Sequence, residues 1–339
     1  VFMQIRENIS LQSFNTFGIQ AHARYFAPFA TVEELKELLS YKQHSINSRL
    51  ILGGGSNILL TKDFDGLVLK NELNGIEVVQ EDETSYYVKA GAGVNWHQFV
   101  NYCIENNFAG VENLSLIPGS CGASPMQNIG AYGVEIKDVF HELEAFHIQD
   151  QVMKTFTLEE CHFGYRESVF KRAFKNQFVI TSVTYRLRKQ PVFNTSYGAI
   201  HQELERMGVT ELSIRAISQA VMNIRTSKLP DWREVGNAGS FFKNPQVPNE
   251  LFRILKEQYP DIVGYPHEGN TKLAAGWLIE QCGWKGYRKG DAGCYLKQAL
   301  VLVNYGSATG QEIYQLSEEI IQSVKAKFGV ELEREVNII

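Results

Sequence analysis

Two stretches of this chain hold too much glycine and too little charge to be ordinary helix or strand, and they narrow the folds open to it. The first, Gly53-Gly54-Gly55-Ser56-Asn57, lies between two apolar, strand-like runs. Glycine reaches positive φ at little cost and lets a backbone approach another group closely. Successive N–H groups can then form a nest for an anion, with Ser56 and Asn57 as extra side-chain donors. The same residues also read as a tight turn between strands, and taken alone they leave both readings open. The second stretch runs from Gly110 to Gly133 and follows neither the helical nor the strand period. Within it lie Leu116-Ile117-Pro118-Gly119-Ser120-Cys121-Gly122-Ala123-Ser124-Pro125 and Gln127-Asn128-Ile129-Gly130-Ala131-Tyr132-Gly133. A long uncharged loop of this kind is more often a ligand cradle than a spacer. Neither loop is GxGxxG or GxxxxGK[ST], which argues against a Rossmann or Walker site. Two such loops separated by a strand–helix unit suit a dinucleotide better than a single phosphate.

Periodicity organises the rest. A helix is expected over 31–44, where Thr31 and Glu34 form a capping box and Val32, Leu35, Leu38 and Leu39 share a face. Strands are expected at 49–52, 67–70, 76–80 and 86–90, then a helix over 94–106 and strands at 143–148 and 178–187. Composition changes after Pro191. Helices follow at 213–224, 249–258 and 271–282, then a strand at 299–304. A last helix is capped by Thr309 and Glu312, with Ile313, Leu316, Ile320 and Val324 on one face, and 330–339 is extended. Strands come first and helices concentrate later, which is an α+β pattern.

Size and charge bound the function. With 339 residues the chain exceeds one ordinary core. It is 44% hydrophobic and 21% charged with net charge -5, values of a soluble globular protein without the basic run of a nucleic-acid binder. No apolar run reaches membrane-spanning length, and the start shows no secretory signal. A cytoplasmic protein with no nucleic-acid or membrane partner is expected. Its five scattered cysteines read as reduced thiols. The histidines lack ligand spacing, so no catalytic metal is expected.

Ile51-Leu52-Gly53-Gly54-Gly55-Ser56-Asn57, Ile117-Pro118-Gly119-Ser120 and Asn128-Ile129-Gly130-Ala131-Tyr132-Gly133 resemble the FAD-binding half of the UDP-N-acetylenolpyruvoylglucosamine reductase (MurB) family. The likeness extends from Asn15-Thr16-Phe17-Gly18 to Leu332-Glu333-Arg334-Glu335-Val336. It implies a vanillyl-alcohol-oxidase/PCMH-type FAD fold of two lobes, 1–70 and 71–205, followed by an α+β substrate domain, 206–339, whose last strand returns to the active site. It also implies noncovalent FAD, NADPH as hydride source, and UDP-N-acetylglucosamine enolpyruvate as substrate of a monomeric enzyme. Gly53, Gly54, Gly55, Ser56, Asn57, Pro118, Gly119, Ser120, Gly122, Ala123, Gln127, Asn128, Gly130, Ala131 and Tyr132 would then hold the cofactor.

Three further motifs resemble the family's catalytic set. In Phe163-Gly164-Tyr165-Arg166-Glu167-Ser168, an arginine beside an aromatic is ordinarily a packed surface residue. The resemblance makes Arg166 a carboxylate clamp. In Gly236-Asn237-Ala238-Gly239-Ser240-Phe241-Phe242-Lys243-Asn244-Pro245, a serine in a glycine turn is commonly a cap. Here the resemblance makes Ser240 the proton donor. In Leu332-Glu333-Arg334-Glu335-Val336 it makes Glu335 the catalytic glutamate, although the family often has proline where Arg334 stands. The implied chemistry sends hydride to C3 of an enol ether. Arg166 and Glu335 stabilise the enolate that develops, Glu335 being protonated or paired with Arg166, and Ser240 protonates C2.

Substrate contacts carried over in the same way are Arg225 and Lys228 from Arg225-Thr226-Ser227-Lys228-Leu229-Pro230-Asp231, with Asn244, Tyr265 and Gln298. Tyr197, in the type I insertion Val192-Phe193-Asn194-Thr195-Ser196-Tyr197-Gly198, would close over the substrate. A helix end favouring cations explains Arg225 and Lys228 almost as well, and no role is assigned to Tyr295. Two other functions compete. One is another FAD-dependent oxidase or dehydrogenase of the same fold, which would lack Ser240 in its motif. The other is a non-catalytic nucleotide-binding regulator, which intact Arg166, Ser240 and Glu335 oppose.

Overall fold

The computed structural model describes residues 5–41 and 48–339. The chain divides into two compact units. One takes in the described residues up to Ile9 together with Ala23–Gly54 and Asp65–Ser227. The other takes in Ser10–His22, Gly55–Phe64 and Lys228–Ile339.

In the first unit a four-stranded sheet has the order Arg6–Ser10, His22–Phe29, Phe64–Asn71, Arg49–Leu52. The last two strands are parallel, with Leu50 opposite Val68 and Leu52 opposite Lys70. Helix Val32–Ser40 begins in the capping box of Thr31 and Glu34 that the sequence predicts. It buries Leu35, Leu38 and Leu39 among Tyr25, Phe29, Leu67 and Leu69.

A second, fully antiparallel sheet has the order Met153–Thr157, Phe140–His147, Phe178–Arg188, Ser85–Gly91, Ile76–Glu81. Helix Trp96–Glu105, capped by Asn95, sets Trp96, Phe99, Val100 and Cys103 into a core with Val88, Leu143, Val183 and Tyr185. Full burial of such side chains stabilises by about 1.5–3 kcal/mol each. Tyr185 reaches across this core with its hydroxyl 2.8 Å from Ser124 Oγ and donating to the Cys121 carbonyl at 3.3 Å. A buried polar group is satisfied there, and the second glycine-rich loop is fastened to the middle of the sheet. Farther along, helices Gly198–Arg206 and Ile214–Lys228 pack through Ile200, Leu204, Ile217, Val221 and Ile224, with Tyr132 and Phe193 against them.

The second unit has a sheet ordered Gly236–Ser240, Val301–Asn304, Ala292–Cys294, Arg288–Lys289 and a smaller one ordered Gln246–Val247, Asn270–Leu273, Gly264–His267. Its longest helix, Gly310–Phe328, has the expected Thr309–Glu312 capping box and buries Ile313, Leu316, Ile320 and Val324. One expected helix is corrected. The run predicted over 271–282 is helical only over Ala275–Gln281. Its first residues pair as a strand instead, Thr271 opposite Val247 on one side and Pro266 on the other. The Thr271 hydroxyl also donates to Asn249 Oδ1 at 2.8 Å. Pairing with distant segments overrides the local pattern there. Strands Arg6–Ser10, His22–Phe29 and Met153–Thr157 carried no signal that was read from the sequence. Among the described residues no helix is long and apolar enough to cross a membrane.

The Thr309 cap is independent of any ligand. Thr309→Ala is expected to lower stability by about 1 kcal/mol. The check is a lower urea midpoint with an unchanged m-value and unchanged flavin content.

Candidate active site

Gly53 and Gly54 leave strand Arg49–Leu52 and meet the second loop, Gly53 at the Ser120 side chain and Gly54 at the backbone of Gly119 and Ser120. A Cβ on Gly53 would stand 2.6 Å from Ser120 Oγ, and one on Gly54 would stand 2.8 Å from Gly119 Cα. Gly119 itself has φ +117°, outside the range of residues with side chains. The facing loop is rigidly held. Trp96 N donates to Gly119 O at 3.0 Å, Cys121 N to Val94 O at 2.8 Å and Gly122 N to Ala92 O at 3.0 Å. Among the described residues the N–H groups of Gly53, Gly54 and Ser56 have no acceptor. Unpaired donors on a glycine run fit a diphosphate. Pro118, Gly122, Gln127 and Ala131 are half-buried along the second loop, and Ala123 is exposed.

Asn128 is fully buried in the left-handed region at φ 44°. Its Nδ2 donates to Glu135 Oε2 and to Gly164 O, each at 3.0 Å, and its Oδ1 accepts from Lys137 N at 3.0 Å. Its side chain therefore ties the Gly130–Glu135 hairpin to the turn that carries Arg166. Arg166 lies at φ 55° and donates from Nη2 to Gly130 O at 2.7 Å. Its guanidinium carbon is 5.2 Å from the centre of the Tyr165 ring. A non-glycine residue at positive φ is unusual, and here it turns a cation onto the second loop.

Tyr132, at φ 51°, meets half-exposed Tyr197 edge to face, with centroids 5.3 Å apart. Asn113, a residue not anticipated, donates from Nδ2 to Tyr132 O at 3.0 Å and to Asn194 O at 2.9 Å. It thereby joins the loop to the segment bearing Tyr197. Arg225 lies within electrostatic reach of Tyr132, and its enclosed Nε has no hydrogen-bond partner among the described residues. Burial draws the Arg225 pKa below the usual arginine value, against the pull of Tyr132, and burial raises that of Tyr132. A buried cation without a carboxylate is costly unless an anion completes it. His97, likewise unanticipated, accepts from Leu116 N at 3.0 Å through Nδ1. Burial first, and the Arg225 charge second, lower its pKa.

In the second unit, Gly55 accepts from Thr16 N at 3.0 Å. A Cβ there would fall 1.9 Å from Phe14 O, so glycine is a packing requirement. Asn57 Nδ2 donates to Glu335 O at 3.3 Å. Strand Gly236–Ser240 has a register irregularity between Asn237 and Ser240, where it pairs with Val301–Asn304. Gly239, at φ 69°, carries that turn. Ser240 is left exposed, and among the described residues its hydroxyl has no hydrogen-bond partner. The next residues pair with the C-terminal tail: Glu335 N donates to Phe241 O at 2.8 Å and Lys243 N to Glu333 O at 2.9 Å. Ser240 and Glu335 thus come together on adjacent backbone. The neighbouring acid Glu333 is held by Lys243 Nζ at 2.7 Å. Arg334 packs over Tyr314, a contact the sequence did not reveal.

The remaining assignments are less gathered. Lys228 is exposed at the end of its helix and Tyr265 is exposed on a hairpin. Asn244 Oδ1 accepts from Ala275 N at 3.0 Å at a helix start, and Gln298 Oε1 accepts from Leu300 N at 3.2 Å.

The close approach of Gly54 to Gly119 yields a direct test. Gly54→Val is expected to force the two loops apart and abolish flavin retention. The measurement is the flavin-to-protein absorbance ratio after gentle purification. A full ratio would leave these loops as turns only.

Comparison with known proteins bears on this geometry. Residues 23–154 match the FAD binding domain family, and residues 231–339 match the family described as UDP-N-acetylenolpyruvoylglucosamine reductase, C-terminal domain. The UDP-N-acetylenolpyruvoylglucosamine reductase of Flavobacterium johnsoniae is 51% identical over 339 residues, covering 99% of this chain and 100% of that protein. That of Amoebophilus asiaticus is 52% identical over 338 residues, with 99% and 100% covered. The crystal structure of the Thermus caldophilus enzyme superposes with a TM-score of 0.68 at 24% identity, covering 99% of both chains, and shows the same fold. With an FAD-binding domain of PCMH type followed by this C-terminal domain, the chain belongs to the UDP-N-acetylenolpyruvoylglucosamine reductase family.

Proposed function

We propose that this flavin-dependent reductase of peptidoglycan-precursor synthesis converts UDP-N-acetylglucosamine enolpyruvate to UDP-N-acetylmuramate with Arg166, Ser240 and Glu335 as its catalytic residues. The observation that carries the residue assignment is the backbone pairing that sets Glu335 beside the segment opened by an exposed, unpartnered Ser240 hydroxyl. Bound FAD would supply the hydride, drawn from NADPH, for addition at C3 of the enolpyruvyl group. Gly53, Gly54, Gly119 and Ser120 would hold its diphosphate, for which the glycine contacts and free N–H groups are suited.

The protein's own part is electrostatic and acid chemistry. The Arg166 guanidinium receives the substrate carboxylate and the charge that spreads into it. Ser240 donates its hydroxyl proton to C2. A bare carboxylate would oppose the developing enolate, so Glu335 acts protonated or ion-paired. Half-buried Arg225 and exposed Lys228, one helical turn apart, supply cations for the substrate diphosphate, and Tyr197 closes over the sugar nucleotide. The two-lobe division at residues 70 and 205, noncovalent FAD, a monomeric state and a cytoplasmic setting belong to the same reading.

Two predictions follow from these roles. Tyr197→Phe and Lys228→Ala should raise the substrate KM more than they slow flavin reduction by NADPH. For Lys228 the lost charged hydrogen bond is about 1.5–3 kcal/mol, or about one to two decades in affinity. Equal damage to both half-reactions would move these residues to the cofactor site. Ser240→Ala should leave flavin reduction nearly intact and slow re-oxidation by the sugar nucleotide by about 10²–10⁴-fold, with partial recovery in Ser240→Cys. Rapid mixing that follows each half-reaction decides it. Parental re-oxidation in Ser240→Ala would make this serine a turn residue.

A further inference from the structure

We infer that Arg334 is a positioning residue for the chemical step, clamping the C-terminal tail to helix Gly310–Phe328 and thereby fixing where Glu335 stands beside Ser240. The inference rests on the proposed catalytic roles of Ser240 and Glu335.

Alternation along the tail is the starting point. Leu332 and Val336 are each 3% exposed, whereas Glu333 and Asn337 are exposed. In an extended chain successive side chains point to opposite sides. Arg334 therefore takes the inward position between two buried apolar residues, and its side chain is only 19% exposed. A cation placed inward needs partners. Arg334 finds three of them on one helix. Its guanidinium carbon lies 4.5 Å from the centre of the Tyr314 ring. Its Nε donates to Ser317 Oγ at 2.8 Å, and its Nη2 pairs with the Glu318 carboxylate. Ser317 Oγ donates in turn to Tyr314 O at 2.6 Å, which leaves its lone pairs toward Arg334. Tyr314, Ser317 and Glu318 are three and four residues apart, hence on one face of the helix.

That helix is a firm base. It carries a complete capping box and buries Ile313, Leu316, Ile320 and Val324. Anchoring Arg334 inward sends Glu333 and Glu335 to the opposite side. There the Glu333 carboxylate meets Lys243 Nζ at 2.7 Å, and Glu335 N reaches Phe241 O at 2.8 Å. A rotation of the tail would displace Glu335 from its place against Phe241 and hence from Ser240. Small displacements of a catalytic group are expensive in rate, so the clamp should be visible in the chemistry and not only in stability.

The test uses the flavin-loaded enzyme below its Tm. Arg334→Ala should slow re-oxidation by the sugar nucleotide by about 10- to 100-fold, leave flavin reduction by NADPH at the parental rate and leave the substrate KM little changed. Hydrogen exchange at the Glu335 amide should accelerate. Glu318→Gln should give a smaller loss of the same kind, and Arg334→Lys a partial rescue. These two variants carry the test if Arg334→Ala does not fold. In a Glu335→Gln background, Arg334→Ala should add almost nothing. Slow Glu335→Gln with parental Arg334→Ala, or losses that multiply in the double variant, would overturn the positioning role. Parental re-oxidation in Glu335→Gln would instead overturn the catalytic reading beneath it, and the inference with it.

Discussion

The second unit depends on the C-terminal tail being held along its length by main-chain hydrogen bonds. At its start, Lys243 N and Glu335 N engage Phe241–Lys243 and 333–335 in alternation. Towards its end, Asn337 N donates to Asn57 O at 3.1 Å, Ile339 N to Leu59 O at 2.9 Å and Thr61 N to Ile339 O at 2.7 Å. An extended segment cannot satisfy its own polar groups, so each must find a partner on a neighbour or in water. Here two neighbours remote in sequence share that task. Glu335, proposed above as the catalytic acid, falls where the tail passes from one neighbour to the other. Asn57 marks the transition, accepting from Asn337 and donating to Glu335 O.

The glycine-rich loops solve a different problem. A diphosphate needs several N–H donors that do not already have acceptors, yet a loop with free donors gains little from its own backbone. The first loop is therefore short and wedged against a second loop that is itself bonded to Val94 and Ala92. Rigidity is borrowed from the sheet behind, through Tyr185 and Ser124, while the donors of Gly53 and Gly54 stay available. Asn128 works on the same principle. Its whole amide group is engaged within the protein, so its contribution to a ligand would come through the shape it gives the Gly130–Glu135 hairpin.

What could be read from sequence follows the range of the forces involved. The capping boxes of Thr31 with Glu34 and Thr309 with Glu312 were legible, because each pair interacts within one turn. Four strands of the five-stranded sheet, Ile76–Glu81, Ser85–Gly91, Phe140–His147 and Phe178–Arg188, were legible from their local apolar patterns. Thr271 misled because its local pattern suits a helix, while its partners, Val247 and Pro266, come from other segments. Arg6–Ser10 and Met153–Thr157 are edge strands with mostly exposed residues, so no strong apolar alternation announces them. Within the candidate site, glycine density exposed the loops. The contacts of Asn113, His97 and Arg334 were hidden, since each depends on an element far away in the chain.

Arg225 and Arg334 show how the fold treats two enclosed cations differently. Arg334 is supplied with a carboxylate, a hydroxyl and a ring, all from one helix face, so its charge is settled within the protein. Arg225 has Tyr132 beside it, and among the described residues its enclosed Nε has no hydrogen-bond partner. A fully compensated ion pair gains little by admitting another ion, whereas an enclosed cation with no carboxylate is stabilised by any anion that can reach it. Compensation therefore distinguishes structure from function more sharply than burial does. On the roles proposed above, Arg334 belongs to the framework that places Glu335, and Arg225 belongs to the surface offered to an anionic substrate.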